Sequence, residues 1–511
     1  MLDLCADAKR TAHLCGVGCG HHTSRRTALK LGLAGGAAAA LSGCVTTNRA
    51  TGQSQLTGFS TLEDDRKIGR EQHPKLVEAF GGEYENPRLQ SYVSRLGEEL
   101  ARYAEYQEFQ YQFTIVNSPI INAFALPGGY CYVSRGLITL ASNEAELAGV
   151  IAHEIGHVNA RHTAQRIAQS QLAQGLLLGA VILTGQQAIG QLGSGIANSV
   201  LKSFSREQEL EADSLGMRYM SEAGYDPEAM VGFLDTMRDH SQIEAEKRGL
   251  PADSVDERNI NATHPRTIER VQQARTIAAE YAAAGRVVNR DRYLQNINGM
   301  LYGDDPKQGI VRDTVFIHPD MRFRFEVPEG FTIQNGANEV VAQKSNVKAA
   351  IVFDADRSKS GDILTYLTQE WGKGVSMTDT GRIDINGRPA ATGATRINGL
   401  DYRAVAIQGE GDRVFRFRFI SDPAQTSGLS VPFRETTYSF RLLSAAEASR
   451  IQPYQIVVVP ISPGDTVASL SSGFPEGKFS QAAFRVINDL KPQQALPVGG
   501  RVKVVVGGGG V

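Results

Sequence analysis

Two histidines and a glutamate share one short stretch, His153-Glu154-Ile155-Gly156-His157. On a helix, residues four apart lie on one face with their Cβ atoms about 5–6 Å apart, so both imidazoles can reach one tetrahedral zinc ion. Glu154 is rotated by about 100° from His153, which places it to reach a metal-bound water rather than the metal. Zinc lowers the pKa of such a water to about 7, and a carboxylate can take its proton as the hydroxide attacks a carbonyl. The pattern predicts zinc-dependent hydrolysis with Glu154 as the base.

A catalytic zinc needs a third protein ligand and one open position. Glu209 and Asp213 are four residues apart and would share a helix face that otherwise carries the small residue Gly216. Charged groups on such a face need partners. Glu209 is therefore a candidate zinc ligand, and Asp213 a candidate acceptor for the second ring N–H of a ligand histidine. The spacing alone fits a solvated acidic face equally well.

The flanking sequence predicts the helix that must carry the two histidines. Asn143 followed by Glu146 has the character of a helix N-cap, and apolar residues then recur at helical spacing through Val158. Helical patterning also covers residues 60–107, 205–222 and 265–284. The candidate site is thus expected on a mainly helical scaffold.

A small sheet is predicted just before that helix. A short strand at 112–117 is followed by two apolar runs, 120–126 and 130–134, which Pro127-Gly128-Gly129 separates as a turn would. Cys131, inside the last run, is interpreted as a small buried hydrophobe rather than a catalytic thiol, because no base is apparent near it in the sequence.

Together these residues resemble the zinc metallopeptidase family that includes the CaaX prenyl endopeptidases, HtpX and BepA. The likeness covers about residues 60–285 and rests on the HExxH stretch, on Ser205-Arg206 with Glu209 and Asp213, and on two further segments. These are Asn122-Ala123-Phe124-Ala125-Leu126-Pro127-Gly128-Gly129 and Thr263-His264-Pro265. The resemblance implies a zincin-type fold, one Zn²⁺ held by His153, His157 and Glu209, and an edge strand at Asn122, Ala123, Phe124 and Ala125 that pairs with an extended polypeptide substrate. It favours the soluble periplasmic branch.

Two further histidines are left with different expectations. His264 is a catalytic candidate, because the resemblance allows it either to stabilise a developing oxyanion or to occupy the open zinc position as a plug. A helix-start histidine without a catalytic part is the third interpretation. His162, five residues after His157, is predicted to point elsewhere on the helix and to be structural.

The amino terminus has the features of an export signal. Ser24-Arg25-Arg26 precedes a Gly/Ala-rich apolar stretch, as in a twin-arginine signal, and that stretch is too short to span a bilayer. It ends in Leu41-Ser42-Gly43-Cys44, which resembles a bacterial lipobox, so Cys44 is predicted to carry the lipid anchor. A plain cleavable signal with a chance cysteine is the alternative. Residues 1–43 are therefore assigned to the signal and 44–58 to a polar tether.

The fold class is α+β throughout, in three folded units. The metallopeptidase-like unit covers residues 59–290 and is followed by an α+β domain of unknown role at 310–445, where short alternating runs predict strands. Residues 453–506 form a βααβ unit that resembles a LysM module, on Pro463-Gly464-Asp465-Thr466-Val467 and Val486-Ile487-Asn488-Asp489-Leu490. LysM modules bind N-acetylglucosamine polymers, which would make peptidoglycan a partner.

Composition limits the other partners. A net charge of -2 over 53 basic and 55 acidic residues gives no basic field, which argues against nucleic acid. The leading hypothesis is a zinc endopeptidase that degrades misfolded envelope proteins, anchored by lipid on the periplasmic face of a bacterial membrane, with the outer membrane favoured. The alternatives are a peptidoglycan peptide hydrolase and an autoinhibited chaperone or assembly scaffold.

Overall fold

The computed structural model describes residues 45–56, 61–167, 203–257, 268–281, 285–336, 339–345 and 347–509. The predicted export signal, Cys44, the apolar segment 175–184 and Thr263-His264-Pro265 lie outside these residues. Of the helices in the described ranges, none has the length and apolarity needed to cross a bilayer.

The predicted tether contains an ordered hairpin, β1 (Val45–Thr47) paired with β2 (Ser54–Leu56). Two of its side chains reach the end of the helix that carries the HExxH stretch. Asn48 Nδ2 donates to the carbonyl of Asn159 at 2.8 Å, and Gln55 Nε2 donates to that of Ala160 at 2.8 Å. The last carbonyls of a helix have no hydrogen-bond donor within the helix. The hairpin side chains supply donors to two of them.

Helices surround a three-stranded sheet in the metallopeptidase-like unit. Its elements are α1 (Leu62–Ala79), α2 (Pro87–Ala101), β3 (Gln112–Val116), β4 (Ala123–Leu126), β5 (Tyr130–Ser134), α3 (Arg135–Leu140), α4 (Glu144–Asn159), α5 (Arg206–Glu222), α6 (Glu228–Lys247), α7 (Ser254–Glu257), α8 (Ile268–Tyr281) and α9 (Arg290–Ile297). The strand order is β3-β5-β4, with β3 parallel and β4 antiparallel to β5. The predicted strand–turn–strand is confirmed, with Gly128 and Gly129 in the left-handed region that the turn requires.

The strongest local signals in this unit are confirmed. Asn143 caps α4 by accepting a hydrogen bond from the N–H of Glu146, and Ser205 caps α5 in the same way through Gln208. The apolar stripe predicted on α2 is fully buried against the sheet. Gly97 lies on that face, where a Cβ atom would come within 2.4 Å of the Phe113 ring, so the helix can approach β3 closely.

A β-rich domain follows, with two antiparallel sheets. Its elements are β6 (Leu301–Tyr302), β7 (Ile310–Arg312), β8 (Val315–His318), β9 (Phe323–Glu326), β10 (Thr332–Asn335), β11 (Val340–Gln343), β12 (Ala349–Arg357), α10 (Ile363–Thr365), β13 (Thr378–Ile385), β14 (Arg388–Ile397), β15 (Leu400–Gln408), β16 (Arg413–Ser421), α11 (Thr426–Ser439) and β17 (Arg441–Leu442). The sheet orders are β17-β9-β8-β7 and β10-β11-β12-β16-β15-β14-β13. Asn386-Gly387, a dipeptide typical of hairpin turns, connects β13 and β14 with φ of 52° and 81°. Residues 363–371, a short helical stretch in an otherwise strand-rich sequence, form α10 followed by one π-helical segment, Tyr366–Trp371.

Ten of the phenylalanines form most of the core of this domain, which lies between the long sheet, the smaller sheet and α11. They are buried and pack ring against ring, as Phe353 does on Phe417 at 4.8 Å between centroids. The sheet buries this apolar face, whereas charged side chains alternate onto its other face along β12 and β16.

The βααβ order predicted for the last unit is present. It comprises β18 (Tyr454–Pro460), α13 (Val467–Leu470), α14 (Ser480–Ile487) and β19 (Arg501–Gly507), preceded by α12 (Ala445–Arg450). β18 also pairs with β6, and the apolar residues of the unit share one core with the metallopeptidase-like helices. The buried Lys503 ammonium donates to the carbonyls of Thr139 and Ala141 at 2.8 and 2.6 Å. The unit is therefore packed against the helices that precede the HExxH stretch.

Candidate metal centre

Two glycines let α4 and α5 approach each other closely. A Cβ atom at Gly216 would lie 2.8 Å from the backbone nitrogen of His153, and one at Gly156 would lie 2.9 Å from the carbonyl oxygen of Ala212. Real Cβ atoms do not approach backbone so closely. Glycine at both positions brings the HExxH face of α4 directly onto the acidic face of α5.

The contact brings together the three predicted ligands. His153 Nε2 and His157 Nε2 are 3.0 Å apart, and each lies 3.6 Å from a carboxylate oxygen of Glu209. A tetrahedral zinc with bonds of about 2.0–2.1 Å sets its ligand atoms about 3.4 Å apart, so these spacings fit the ion. Two imidazoles and one carboxylate are also the donor set of a catalytic zinc site. Within the described residues this is a group of donors that could hold a metal ion.

The charge around this group favours a divalent cation. Among the described residues around it, four carboxylates stand against two arginines, an excess of two negative charges when all six groups are ionised. They are Glu154, Glu209, Glu211 and Asp213, with Arg166 and Arg270. A bound metal ion is often the largest local charge in such a site. The acidic face of α5 is therefore paired with cationic groups and is not a solvated surface.

Asp213 and Arg270 hold the side chains behind the ligands. His153 Nδ1 lies 2.8 Å from Asp213 Oδ1, the contact expected for a histidine whose Nε2 faces a metal. Arg270, on α8, binds both oxygens of Asp213 at 2.7 Å and lies 2.6 Å from Glu209. Although burial opposes it, the Arg270 guanidinium holds the pKa of Asp213 well below its ordinary range. Asp213 is thus a permanently charged acceptor for the His153 ring. Sequence reasoning did not identify Arg270.

His162 lies behind the other ligand, contrary to the prediction that it points elsewhere. Its Nδ1 is 2.8 Å from His157 Nδ1, and its Nε2 is 2.8 Å from Glu211 Oε2. The prediction assumed a continuous helix, whereas α4 ends at Asn159 and Arg161 takes a left-handed φ of 54°. The turn redirects the chain, and the Arg161 side chain is fixed by a buried ion pair with Asp65 at 2.7 Å. If the helix had been predicted to end at Asn159, His162 would not have been placed by helical spacing.

Phe204 covers one side of the centre. Its ring stacks on His157 at 4.0 Å between centroids, and the Arg166 guanidinium lies 3.6 Å from the centre of the same ring. Burial lowers the pKa of Arg166 to about 10. The aromatic ring excludes water from one side of the candidate ligand.

Glu154 is buried, with 1% of its surface exposed, on the same helix as the two histidines. Its neighbour Cys131 is buried as well, and burial, with a smaller contribution from the charge of Glu154, raises the pKa of the thiol far above its ordinary value. Cys131 is therefore the inert buried hydrophobe that the sequence predicted.

The segment predicted to pair with substrate lies at the sheet edge. β4 is the outer strand in the order β3-β5-β4, and it begins at Ala123 rather than at Asn122. Asn122 precedes the strand, where its N–H is bonded to Ser134 Oγ at 3.0 Å. β4 packs beside α4, and Thr163 Oγ1 donates to the carbonyl of Ala125 at 3.4 Å. His264 and Cys44 lie outside the described residues.

Comparison with known proteins agrees with this geometry. Residues 87–278 match Peptidase family M48. A beta-barrel assembly-enhancing protease of Yersinia pestis is 32% identical over 233 residues, 43% of this chain and 45% of that protein. The mitochondrial metalloendopeptidase OMA1 of Schizosaccharomyces pombe is 30% identical over 182 residues, 35% of this chain and 53% of that one. The match thus spans about half the length of each relative.

Likeness to solved structures is weak. The solution structure of cyanobacterial PsbP from Synechocystis shares 13% identity, covers 27% of this chain and 98% of its own, and gives a TM-score of 0.21. A score so low supports no conclusion about fold or function.

Proposed function

We propose that the chain is a zinc-dependent endopeptidase of Peptidase family M48, the family that residues 87–278 match. The observation that carries the proposal is the convergence of His153, His157 and Glu209 on one point, with Glu154 buried beside it. His153 and His157 would hold zinc through Nε2 and Glu209 through its carboxylate. When bound, zinc would supply Lewis acidity toward a carbonyl and toward water.

The other steps belong to side chains of the chain itself. Glu154 would accept the proton of the attacking water and deliver it to the leaving amine. Asp213 and His162 would fix the ring orientations of His153 and His157. Phe204 would keep water from the buried side of the site. For His264 we propose a catalytic role, either as a plug of the open zinc position or as an oxyanion donor.

Two glutamine substitutions separate the base from the ligand, because glutamine keeps the size of glutamate and removes its charge. Glu154→Gln should retain zinc and lower casein cleavage by about 10²- to 10⁴-fold. Glu209→Gln should lose both zinc and activity, and its melting temperature should fall toward that of the zinc-free protein. Glu207→Gln, an exposed residue on the same helix, is the matched control and should change nothing.

Zinc per chain is measured by elemental analysis after dialysis, together with casein cleavage and melting temperature, on residues 45–511. Full zinc in Glu209→Gln would place the third ligand elsewhere. Full activity in Glu154→Gln would exclude its role as base. His264→Ala distinguishes the remaining roles, since removal of a plug raises the rate and removal of an oxyanion donor lowers it.

The substrates are proposed to be envelope proteins, including misfolded ones. Support comes from the name of the Yersinia relative, which connects that protease with β-barrel assembly, and from the edge position of β4. An extended peptide can add a strand to such an edge. An unfolded outer-membrane protein should be cleaved by wild type and spared by Glu154→Gln, whereas the same protein in folded form should be spared by both.

We also propose that Cys44 is lipidated after twin-arginine export and that the βααβ unit binds peptidoglycan. Palmitate labelling should disappear in Cys44→Ala, and labelling that persists would exclude the anchor. Residues 45–511 should sediment with purified peptidoglycan and be released by N-acetylglucosamine oligomers. Because the βααβ unit shares a core with the peptidase helices, competition by the oligomers tests this more cleanly than deletion of the unit.

A further inference from the structure

The β-rich domain contains a large open hollow that the proposed peptidase function does not use. It lies between α11 (Thr426–Ser439) and the end of the long sheet formed by β13 to β16, and its volume is about 820 Å³. Pockets for small ligands have volumes of about 300–1,000 Å³. The hollow is therefore large enough for one small molecule.

Small side chains on β14 create this hollow. Thr392 and Ala394 lie in the floor, beside Val405 and next to Phe419, which belongs to the following strand. α11 packs over β16 and β9, where Phe433 contacts Phe419 at 5.0 Å between centroids. Because Thr392 and Ala394 are small, the space next to α11 remains open above an apolar floor.

The charged groups that line the hollow are mostly cationic. Three are arginines (Arg396, Arg403 and Arg434) and one is an aspartate, Asp401. Asp401 pairs with Arg396 at 2.7 Å, and Arg403 pairs with Asp379, a largely exposed carboxylate, at 2.7 Å. Arg434, on α11, has no carboxylate partner among the described residues. The rim therefore carries positive charge above an apolar floor.

We propose that this hollow binds one amphipathic anion, a molecule with an apolar chain or ring and a single carboxylate or phosphate. The apolar body would lie on Val405, Phe419 and Phe433, and the anionic head would face Arg403 and Arg434. Arginine suits such a head because its fork of N–H donors matches both carboxylate and phosphate. An amphipathic cation would have its charge beside the same arginines and should bind much more weakly.

Isothermal titration of residues 45–511 tests the proposal with probes of equal chain length, each kept below its critical micelle concentration. Dodecyl phosphate and dodecanoate are the anions, dodecyltrimethylammonium is the cation and dodecyl maltoside is neutral. We expect one saturable site per chain for either anion, at least tenfold tighter than for the cation. Similar affinities for all four probes, or no saturable binding, would overturn the proposal.

Two variants locate the site. Ala394→Trp fills the floor, and Arg434→Glu reverses the charge of an exposed side chain. Each should weaken anion binding at least tenfold with an unchanged melting temperature. Arg450→Glu and Ala445→Trp, exposed positions on α12, are the matched controls and should bind as wild type does. Wild-type binding in Arg434→Glu would place the anion elsewhere. Casein cleavage does not enter the test, so its outcome is independent of the peptidase proposal.

Discussion

Arginine–carboxylate clusters occur in two regions of this molecule, and their surroundings differ. Arg270 binds Asp213 and Glu209 behind the candidate metal centre, where the side chains are 3%, 1% and 1% exposed. Arg416 binds Asp354 on the charged face of the long sheet, where the two side chains are 19% and 11% exposed. Both guanidinium groups engage two carboxylates, so chemistry alone does not distinguish them. Their environment does.

Burial changes what such a cluster contributes. In water-exposed clusters the attraction is small and the entropy of ordering long side chains offsets it. In a buried cluster the cost of desolvation is high, and removing one partner leaves an uncompensated charge in the interior. The cluster behind α4 also holds a ring of the candidate metal site in place, through Asp213. Charged groups that are buried at such a cost and directed toward one point therefore indicate function better than water-exposed clusters do.

The largest difference between the regions is expected for Arg270→Met, which leaves Asp213 and Glu209 buried without their cation. In zinc-free protein the free energy of unfolding should fall by about 3–5 kcal/mol. Zinc should recover part of this loss, because the ion supplies positive charge beside Glu209. Urea unfolding followed by circular dichroism, with and without a chelator, measures both. Arg275→Met is the control, since Arg275 is 60% exposed on the same helix. Equal stability of the two variants would contradict the comparison.

Asp213→Asn tests whether the buried cluster positions a metal ligand. The amide is a weaker acceptor for His153 Nδ1 and can present a donor instead, so zinc affinity should fall about 10- to 100-fold. Competition with a chromophoric zinc chelator gives the affinity, and Glu207→Gln serves as the control on α5. Unchanged zinc affinity, with a loss only of stability, would make Asp213 a purely structural partner of Arg270.

His318, the only histidine between residues 301 and 442, is expected to weaken the β-rich domain in acid. Burial lowers the pKa of His318 to about 4, and its Nδ1 accepts from the N–H of Met321. The unfolded pKa is about 6.5, so the folded state binds fewer protons, and stability is lost as pH falls from about 6.5 toward 4. Between pH 7 and pH 5 the loss should be about 2 kcal/mol.

Trp371 makes this measurable, because it is the only tryptophan of the chain and lies in the β-rich domain. Urea unfolding followed by its fluorescence should show the loss in wild type but not in His318→Gln, which retains an acceptor for Met321. An equal pH dependence in the two proteins would assign the effect to other groups.

His162→Phe should lower zinc affinity about tenfold, at the smaller end of the range for groups that orient a metal ligand. His157 then loses the ring that fixes its Nδ1, while the phenyl group preserves packing in a fully buried position. The smaller effect is expected because the group lost is an imidazole, whereas Asp213 is a carboxylate. The same chelator competition measures it. A loss greater than that of Asp213→Asn would reverse the proposed ranking of the two supports.

Sequence patterns predicted those parts of the site that depend on neighbouring residues. The meeting of the HExxH helix with the acidic helix was expected only from the family resemblance, because the spacing alone fits a solvated acidic face equally well. The local caps and spacing of the two helices could be anticipated from the sequence itself. Arg270 could not, because its partner Asp213 is 57 residues away and only the packing of α8 on α5 joins them. His162 was misplaced because one left-handed residue, Arg161, ends the helical spacing that the prediction assumed.

The fold shows the same limit. Alternating residues predicted strands of the β-rich domain, such as β9, β12 and β16. Alternation does not specify pairing, however: β16 pairs with its neighbour in sequence, β15, on one side and with the distant β12 on the other. The docking of the βααβ unit could not be predicted from the sequence either, because it depends on hydrogen bonds from Lys503 to carbonyls more than 360 residues earlier.

The smallest effect is expected for Arg416→Met, the partly exposed counterpart of Arg270→Met. Arg416 also contacts Asp356 at 2.8 Å and lies 5.2 Å from the centre of the Trp371 ring. Because Asp356 is largely exposed and Asp354 keeps Arg418 at 3.0 Å, water and a second arginine remain available to both carboxylates. Loss of the ion pair and of the cation–π contact together should therefore lower the free energy of unfolding by no more than about 1 kcal/mol. Urea unfolding followed by Trp371 fluorescence measures it, and 0.5 M salt should reduce the loss further. A loss of several kcal/mol, comparable to that of Arg270→Met, would show that burial does not distinguish the two clusters.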